Sequence, residues 1–195
     1  MVVKTLFHGG NMNLTSTSVS VFSNVAHMGI RNALTYYNSE NKLPIIVCIG
    51  SDLVLGDSLG PLIGTFLKQK GVGSFIYGTL HSPITAKEVY YARVYLKKLH
   101  PNSTIIAIDA AVGGESDVGI IKINPFGLKP GLGVNKDLSI IGDLSIVGVV
   151  ASRSVKNENL FNLTRLNFVY KMATVISNGI EEYLKDYTLI KENSV

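Results

Sequence analysis

The sequence predicts an α/β protein of three layers, helix, sheet, helix, with a doubly wound and mostly parallel sheet. Three observations carry this. Apolar runs of strand length at residues 45–49, 74–80 and 104–108 alternate with segments whose apolar residues recur every three or four positions. Hydrophobic residues make up 46% of the chain and charged residues only 16%, the balance of a sheet covered on both faces. Finally, IVCIGSDLVLGDSLGPLIGTF, residues 46–66, reads as strand, glycine-bearing loop and helix. In an open parallel sheet that junction lies at the carboxyl edge, where ligands bind.

In chain order, residues 1–15 are turn-rich and predict a loosely ordered terminus, and residues 16–190 predict a single α/β domain. Ser16, Thr17 and Ser18 offer helix caps, and Phe22, Ala26, Ile30, Ala33 and Tyr37 mark one helical face. After the strand at 45–49, Leu62, Ile63, Phe66 and Leu67 continue a helix that Gly71 stops. The second strand, 74–80, leads into the loop His81-Ser82-Pro83. Residues 85–99 form a covering helix on Val89, Ala92, Leu96 and Leu99. The third strand, 104–108, ends in Asp109. A further strand at 118–123 is expected near an edge. Residues 124–136 read as an irregular loop, 144–150 as a late strand, and Leu163, Leu166, Tyr170, Ala173, Ile176, Ile180 and Leu184 as a long amphipathic helix.

Charge and cysteine content exclude several classes. The formal charge of +4 comes from 18 basic and 14 acidic residues without a clustered basic stripe, so nucleic-acid binding is not expected. Cys48 is the only cysteine, which rules out an internal disulfide, and it sits in an apolar run suited to a core. No apolar segment reaches the roughly 18 residues of a membrane span. A cytoplasmic protein is expected, and a homo-oligomer is compatible with the sequence.

Asp57 and Asp109 are the candidate catalytic residues, because each is expected to follow a parallel strand and project from the same edge. Two close carboxylates can split their titrations and act as acid and base on a water, or hold a divalent cation that activates it. The structural alternatives are a helix cap for Asp57 and a turn residue for Asp109. Asp52 suits an Asx turn, His81 a solvated loop position, and glycines 50, 56 and 60 lack the lysine and Ser/Thr of a P-loop. No cofactor is firmly implied. Lys129, Lys136 and Arg165 read as solvated charges.

Taken together, IGSDLVLGDSLGP, IIAIDAAVG, LKPGLGVNK and GDLSIVGVV followed by NLTRL resemble the YyaC-type sporulation proteins, grouped with spore proteases. More distantly, Gly50 to Asp57 to Gly60-Pro61, then Ile108-Asp109-Ala110 and Pro130-Gly131-x-Gly133-Val134, are similar to the germination protease that cleaves small acid-soluble spore proteins. The first loop also looks like that of the hydrogenase maturation endopeptidases, which have a phosphorylase/hydrolase-like three-layer fold and bind nickel at this edge. The resemblance implies a peptidase of a sporulating cell, with Asp57 and Asp109 as the catalytic pair. It also implies a peptide or protein substrate, such as a spore protein, held by Ser51, Asp52, Gly56, Ser58, His81, Gly131 and Gly133. Backbone N–H groups at the Ser58 helix start would stabilise an oxyanion. The chain departs from these families in the apolar Leu53-Val54-Leu55, in lacking a histidine near Thr85, and in lacking a cysteine near Ala111. The alternative is therefore a non-catalytic protein that binds a peptide or protein partner in the same groove.

Overall fold

The computed structural model describes residues 15–40, 42–130, 140–153 and 164–192. Six strands form one mixed sheet: β1 (Thr17–Ser20), β2 (Leu43–Cys48), β3 (Ile76–Tyr77), β4 (Ser103–Gly113), β5 (Ile120–Asn124) and β6 (Leu144–Ser152). Their spatial order is β1-β5-β6-β4-β2-β3. Strands β3, β2, β4 and β6 are mutually parallel, and β5 runs antiparallel to both β6 and β1. Four α-helices cover it: α1 (Ala26–Tyr37), α2 (Leu59–Gln69), α3 (Val89–Leu99) and α4 (Leu166–Glu192).

Alternation along the strands decides which layer each side chain joins. Ile46, Cys48, Ile106, Ile108 and Ile146 pack with α1, α2 and α4, while Ile45, Val47, Ile49, Ile105 and Ala107 pack with Val89 and Leu96 of α3. Burial on both faces explains why these strands read as continuous apolar runs. Where the second face is left to solvent the pattern changes: in β1 and β5, Val19, Ile121 and Ile123 enter the core while Ser18, Ser20, Lys122 and Asn124 are only half-buried. Each fully buried Ile or Leu contributes about 1.5–3 kcal/mol. Solvent-exposed ion pairs, such as Lys122 with Asp117 at 3.4 Å, contribute about 1 kcal/mol or less. Apolar burial therefore holds the layers together.

The connections place a switch point. From β2 the chain passes through α2 to β3 on one side. It then returns through α3, on the opposite face, to β4 on the other side of β2. The crevice of such a sheet opens between the carboxyl ends of β2 and β4.

Several sequence expectations are corrected. Thr17 and Ser18 belong to strand β1 rather than to a helix cap, α1 starts only at Ala26, and Phe22 is exposed. Strand pairing with β5 outcompetes local capping there. The second strand is reduced to Ile76–Tyr77, because a positive φ at Gly78 turns the chain out of the ladder. The helix expected over 85–99 begins at Val89, and Leu99 is exposed. The third strand continues through Gly113, so Asp109 lies inside β4, paired in register with Val147 of β6, and is no turn residue. Strand β5 is internal, since β1 takes the edge. Leu128 bridges to Ile141, ordering the start of the expected irregular loop. Leu166 and Tyr170 are exposed, and Val169, Met172 and Tyr183 take the buried face of α4 with Ala173, Ile176, Ile180 and Leu184. Residues 1–14, with most of the expected loose terminus, lie outside the described residues, as do Gly131, Gly133, Lys136 and Leu163. Among the described residues no helix is long and apolar enough to cross a membrane.

Candidate functional site

The end of β2 organises the carboxyl edge. Ile49 N–H donates to the Ile108 carbonyl at 2.8 Å, which sets the β2 terminus directly beside Asp109. Gly50 N–H then donates to the Ile84 carbonyl at 2.9 Å, which ties the His81 loop to the other flank. Gly50 has φ +140, and a Cβ there would lie 2.0 Å from the Asp57 carbonyl oxygen. Only glycine lets the loop fold back so tightly. At Gly60 a Cβ would lie 2.0 Å from the Ile49 carbonyl oxygen. The first turn of α2 thus rests on the β2 backbone, and Asp57 and Asp109 are both held against the Ile49-Gly50 segment from two directions.

Asp57 occupies a 3-10 turn, Gly56–Ser58, that leads into α2, and it is half-buried. No side-chain hydrogen bond caps α2, so the capping role open to Asp57 in the sequence is not the one it takes. Burial raises its carboxyl above the usual carboxylate range, and a hydrogen bond from the Ser51 backbone N–H pulls partly the other way. Asp109 is buried, and one of its carboxylate oxygens accepts the Ala110 N–H at 2.8 Å. By strand alternation it shares the α3 face with Ile105 and Ala107.

The remaining predicted positions divide. Ser51 closes the loop, its hydroxyl accepting from Leu53 N–H at 3.2 Å, the turn the sequence had suggested for Asp52. Asp52 is exposed beside it, and Gly56 is buried in the turn. Ser58 is committed to the loop: its hydroxyl donates to the Leu55 carbonyl at 2.6 Å and its N–H to Val54 at 3.0 Å. That N–H is therefore spent and is no oxyanion donor. His81 is exposed on its loop, which is anchored where Leu80 N–H donates to the Thr65 hydroxyl at 3.0 Å. Thr65 gave no sequence signal, because the contact joins α2 to a loop fifteen residues on. Cys48 is buried, and desolvation pushes its thiol up, so it is a core residue rather than a nucleophile. Among the described residues no three His, Cys, Asp or Glu side chains converge as a metal site would require.

A cavity of about 570 Å³ lies at the opposite, amino edge, lined by Asn38, Lys42, Lys97, His100, Thr104 and Asp143 among others. Several of the polar groups at this edge bond to one another. Thr104 hydroxyl donates to Asn38 Oδ1 at 2.7 Å, and Asn38 Nδ2 donates to Tyr183 Oη at 2.7 Å and to the Lys42 carbonyl at 2.9 Å. Asp143 accepts the Ile105 N–H at 2.8 Å, and Tyr77 Oη is 2.7 Å from His100 Nε2. These groups hold the fold together and leave the carboxyl edge as the candidate site.

Comparison with known proteins gives three matches, of which the last two bear on identity. A solved structure with a similar arrangement is the NiFe hydrogenase maturation protease HycI from Thermococcus kodakarensis KOD1, at 17% identity and a TM-score of 0.48, covering 74% of this chain and 93% of that one. YyaC of Bacillus subtilis (strain 168), an uncharacterized protein, is 43% identical over 143 residues, 73% of this chain and 70% of that protein. The model of a family described as protein of unknown function (DUF1256) matches residues 18–179, which include both aspartates and five of the six strands entire. On that match and that identity, the chain belongs to the DUF1256 family, together with proteins of the YyaC type.

Proposed function

We propose that the protein is a peptidase-like hydrolase in which Asp57 and Asp109 position and deprotonate a water that attacks a peptide carbonyl. The observation that carries this reading is that Asp57, a half-buried carboxyl of raised proton affinity, and the buried Asp109 both lie on backbone tied to the last residues of β2 at the switch point. Two carboxyls held in unlike surroundings can divide the acid and base roles between them. Asp109, inside a central strand, acts as the fixed base. Asp57, whose protonated form is favoured by desolvation, returns the proton to the leaving amine. Were a hard divalent ion to serve, Asp57 and Asp109 would be the residues to hold it, and it would supply activation of the same water. The sporulation setting and a spore-protein substrate are part of the proposal and rest on the motif resemblance.

The test is digestion of a peptide library by the purified chain, read by mass spectrometry, alongside Asp57→Asn and Asp109→Asn and with a chelator in parallel. Cleavage by the parent that falls about 10²–10⁴-fold in either variant is the expected result. Cleavage unchanged in both variants removes the aspartates from the reaction.

One observation favours a second reading, a non-catalytic peptide-binding protein. Leu53 is 88% exposed on the loop that carries Ser51 and Asp52, an apolar side chain presented at the rim of the site. Such a rim suits capture of an apolar peptide segment. Peptides retained intact by the parent chain, and lost on Leu53→Asp, would establish it.

A further inference from the structure

Among the described residues α3 is the one helix on its face of the sheet, and its outward side is aromatic. Tyr91 is 73% exposed, Tyr95 60%, Tyr90 56% and Val94 54%. Only Val89 and Leu96 of α3 are buried. Scattered exposed apolar residues are ordinary, but a contiguous run of them marks an interaction surface. Tyrosine, present here as Tyr90, Tyr91 and Tyr95, is enriched at such surfaces.

The charge pattern on this helix specifies the occupant. Lys98 follows Tyr91 by seven residues and Lys97 follows Tyr90 by seven, so each lysine lies two turns on along the same line of the helix. The aromatic groups fill the first half of the exposed face and the ammonium groups the second half. Lys97 and Lys98 are both exposed, and no ion pair with either is found among the described residues. A face with this polarity complements itself when turned end for end. The midpoints of Tyr91 with Lys98 and of Tyr90 with Lys97 fall within one residue of Val94.

We propose that the outward face of α3 pairs antiparallel with the same face of a second copy of this chain, about a two-fold axis at Val94 and Tyr95. In this isologous contact Tyr91 of each copy lies against Lys98 of the other, and Tyr90 against Lys97, four cation–π contacts in all. Val94 and Tyr95 pack across the axis and exclude water. A parallel alignment would instead oppose lysine to lysine. An acidic partner would meet the lysines but would have no reason to match their seven-residue offset from the tyrosines.

The experiment is sedimentation of the full-length chain over a concentration series, with four exposed-site variants checked for native circular dichroism. The parent is expected to sediment at twice the chain mass. Tyr91→Lys opposes like charges and Val94→Asp sets two carboxylates at the axis, so both are expected at single mass. Tyr91→Glu faces Lys98 with a carboxylate and is expected to remain a dimer. Val94→Cys, the residue on the axis, is expected to cross-link under mild oxidation, because Cys48 is buried and takes no part. A parent that is monomeric at every concentration, whether or not it binds poly-glutamate, overturns the proposal. So does a dimer that survives both Tyr91→Lys and Val94→Asp, or one lost equally in Tyr91→Glu and Tyr91→Lys.

Discussion

At the amino edge of the sheet Asn38, Thr104 and Tyr183 satisfy one another in a closed set of hydrogen bonds, whereas at the carboxyl edge Asp57 is drawn partly out of water with incomplete compensation. At the amino edge each of these polar groups has its partner within the fold. Tyr183 is pushed up to about 12, mainly by desolvation, and stays neutral at any ordinary pH. Among the described residues no buried side-chain nitrogen or oxygen lacks a partner. Burial is the larger cause of the raised Asp57 carboxyl, and perturbed groups in a crevice are candidates for chemistry, which is the role proposed for it.

The largest disruption of this contrast comes from the carboxyl edge. Gly60→Ala places a methyl group against the Ile49 carbonyl oxygen, which cannot move without dragging the end of β2. We expect a loss of about 3 kcal/mol, the upper part of the range for overpacking. Denaturant unfolding measures it, and any cleavage or peptide binding should fall with it, since α2 and Asp57 move together. A neutral result would mean that α2 has freedom over the sheet edge, and Asp57 would then not be held in place.

At the amino edge, Asn38→Ala removes the amide that joins Thr104, Tyr183 and the Lys42 carbonyl. Leaving those groups buried without their partner costs about 1–3 kcal/mol. Tyr183→Phe removes a single acceptor while Asn38 keeps the Lys42 carbonyl, so its cost should be the smaller, about 1 kcal/mol. Neither change should alter function at the other edge. Equal losses for the two would show that Thr104 and Lys42 find other partners.

How much of this was legible in the sequence follows from the range of the interactions. Periodicity is local, and it located β2, α2 and the core of β4 correctly. It also gave the layers, because residues 45–49 are apolar on both faces. The errors fall where a distant strand decides. Thr17 and Ser18 read as helix caps until β5 supplies a ladder, and Asp109 read as the end of its strand, with a turn residue as the structural alternative, until β6 pairs with it. The Asn38 network joins residues 66 and 145 positions apart and had no local signature. In the site, residue types were legible but not their commitments. Ser58 looked like an N–H donor to a ligand, and the turn it closes uses both of its donors.

The smallest effect is the most discriminating, because it separates a carboxylate placed for function from one placed for stability. Asp57 has a folded-state proton affinity above its unfolded value, with desolvation the larger cause and the Ser51 N–H the smaller. A group shifted this way contributes stability that is full at pH below its unfolded pKa and lost as pH rises through its folded pKa. At neutral pH, above its unfolded pKa, holding this side chain half-buried therefore costs stability. Asp57→Asn should melt slightly above the parent at neutral pH, and the gain should shrink as the pH is lowered through the carboxylate range. Melting curves of the two proteins across that interval give the comparison directly. Should Asp57→Asn melt below the parent at neutral pH, the Ser51 hydrogen bond outweighs desolvation. Asp57 is then an anchor of its loop, like Asn38 at the other edge, and the two edges no longer differ in kind. A stabilised variant that has also lost cleavage would place Asp57 where selection accepts a cost in stability for activity.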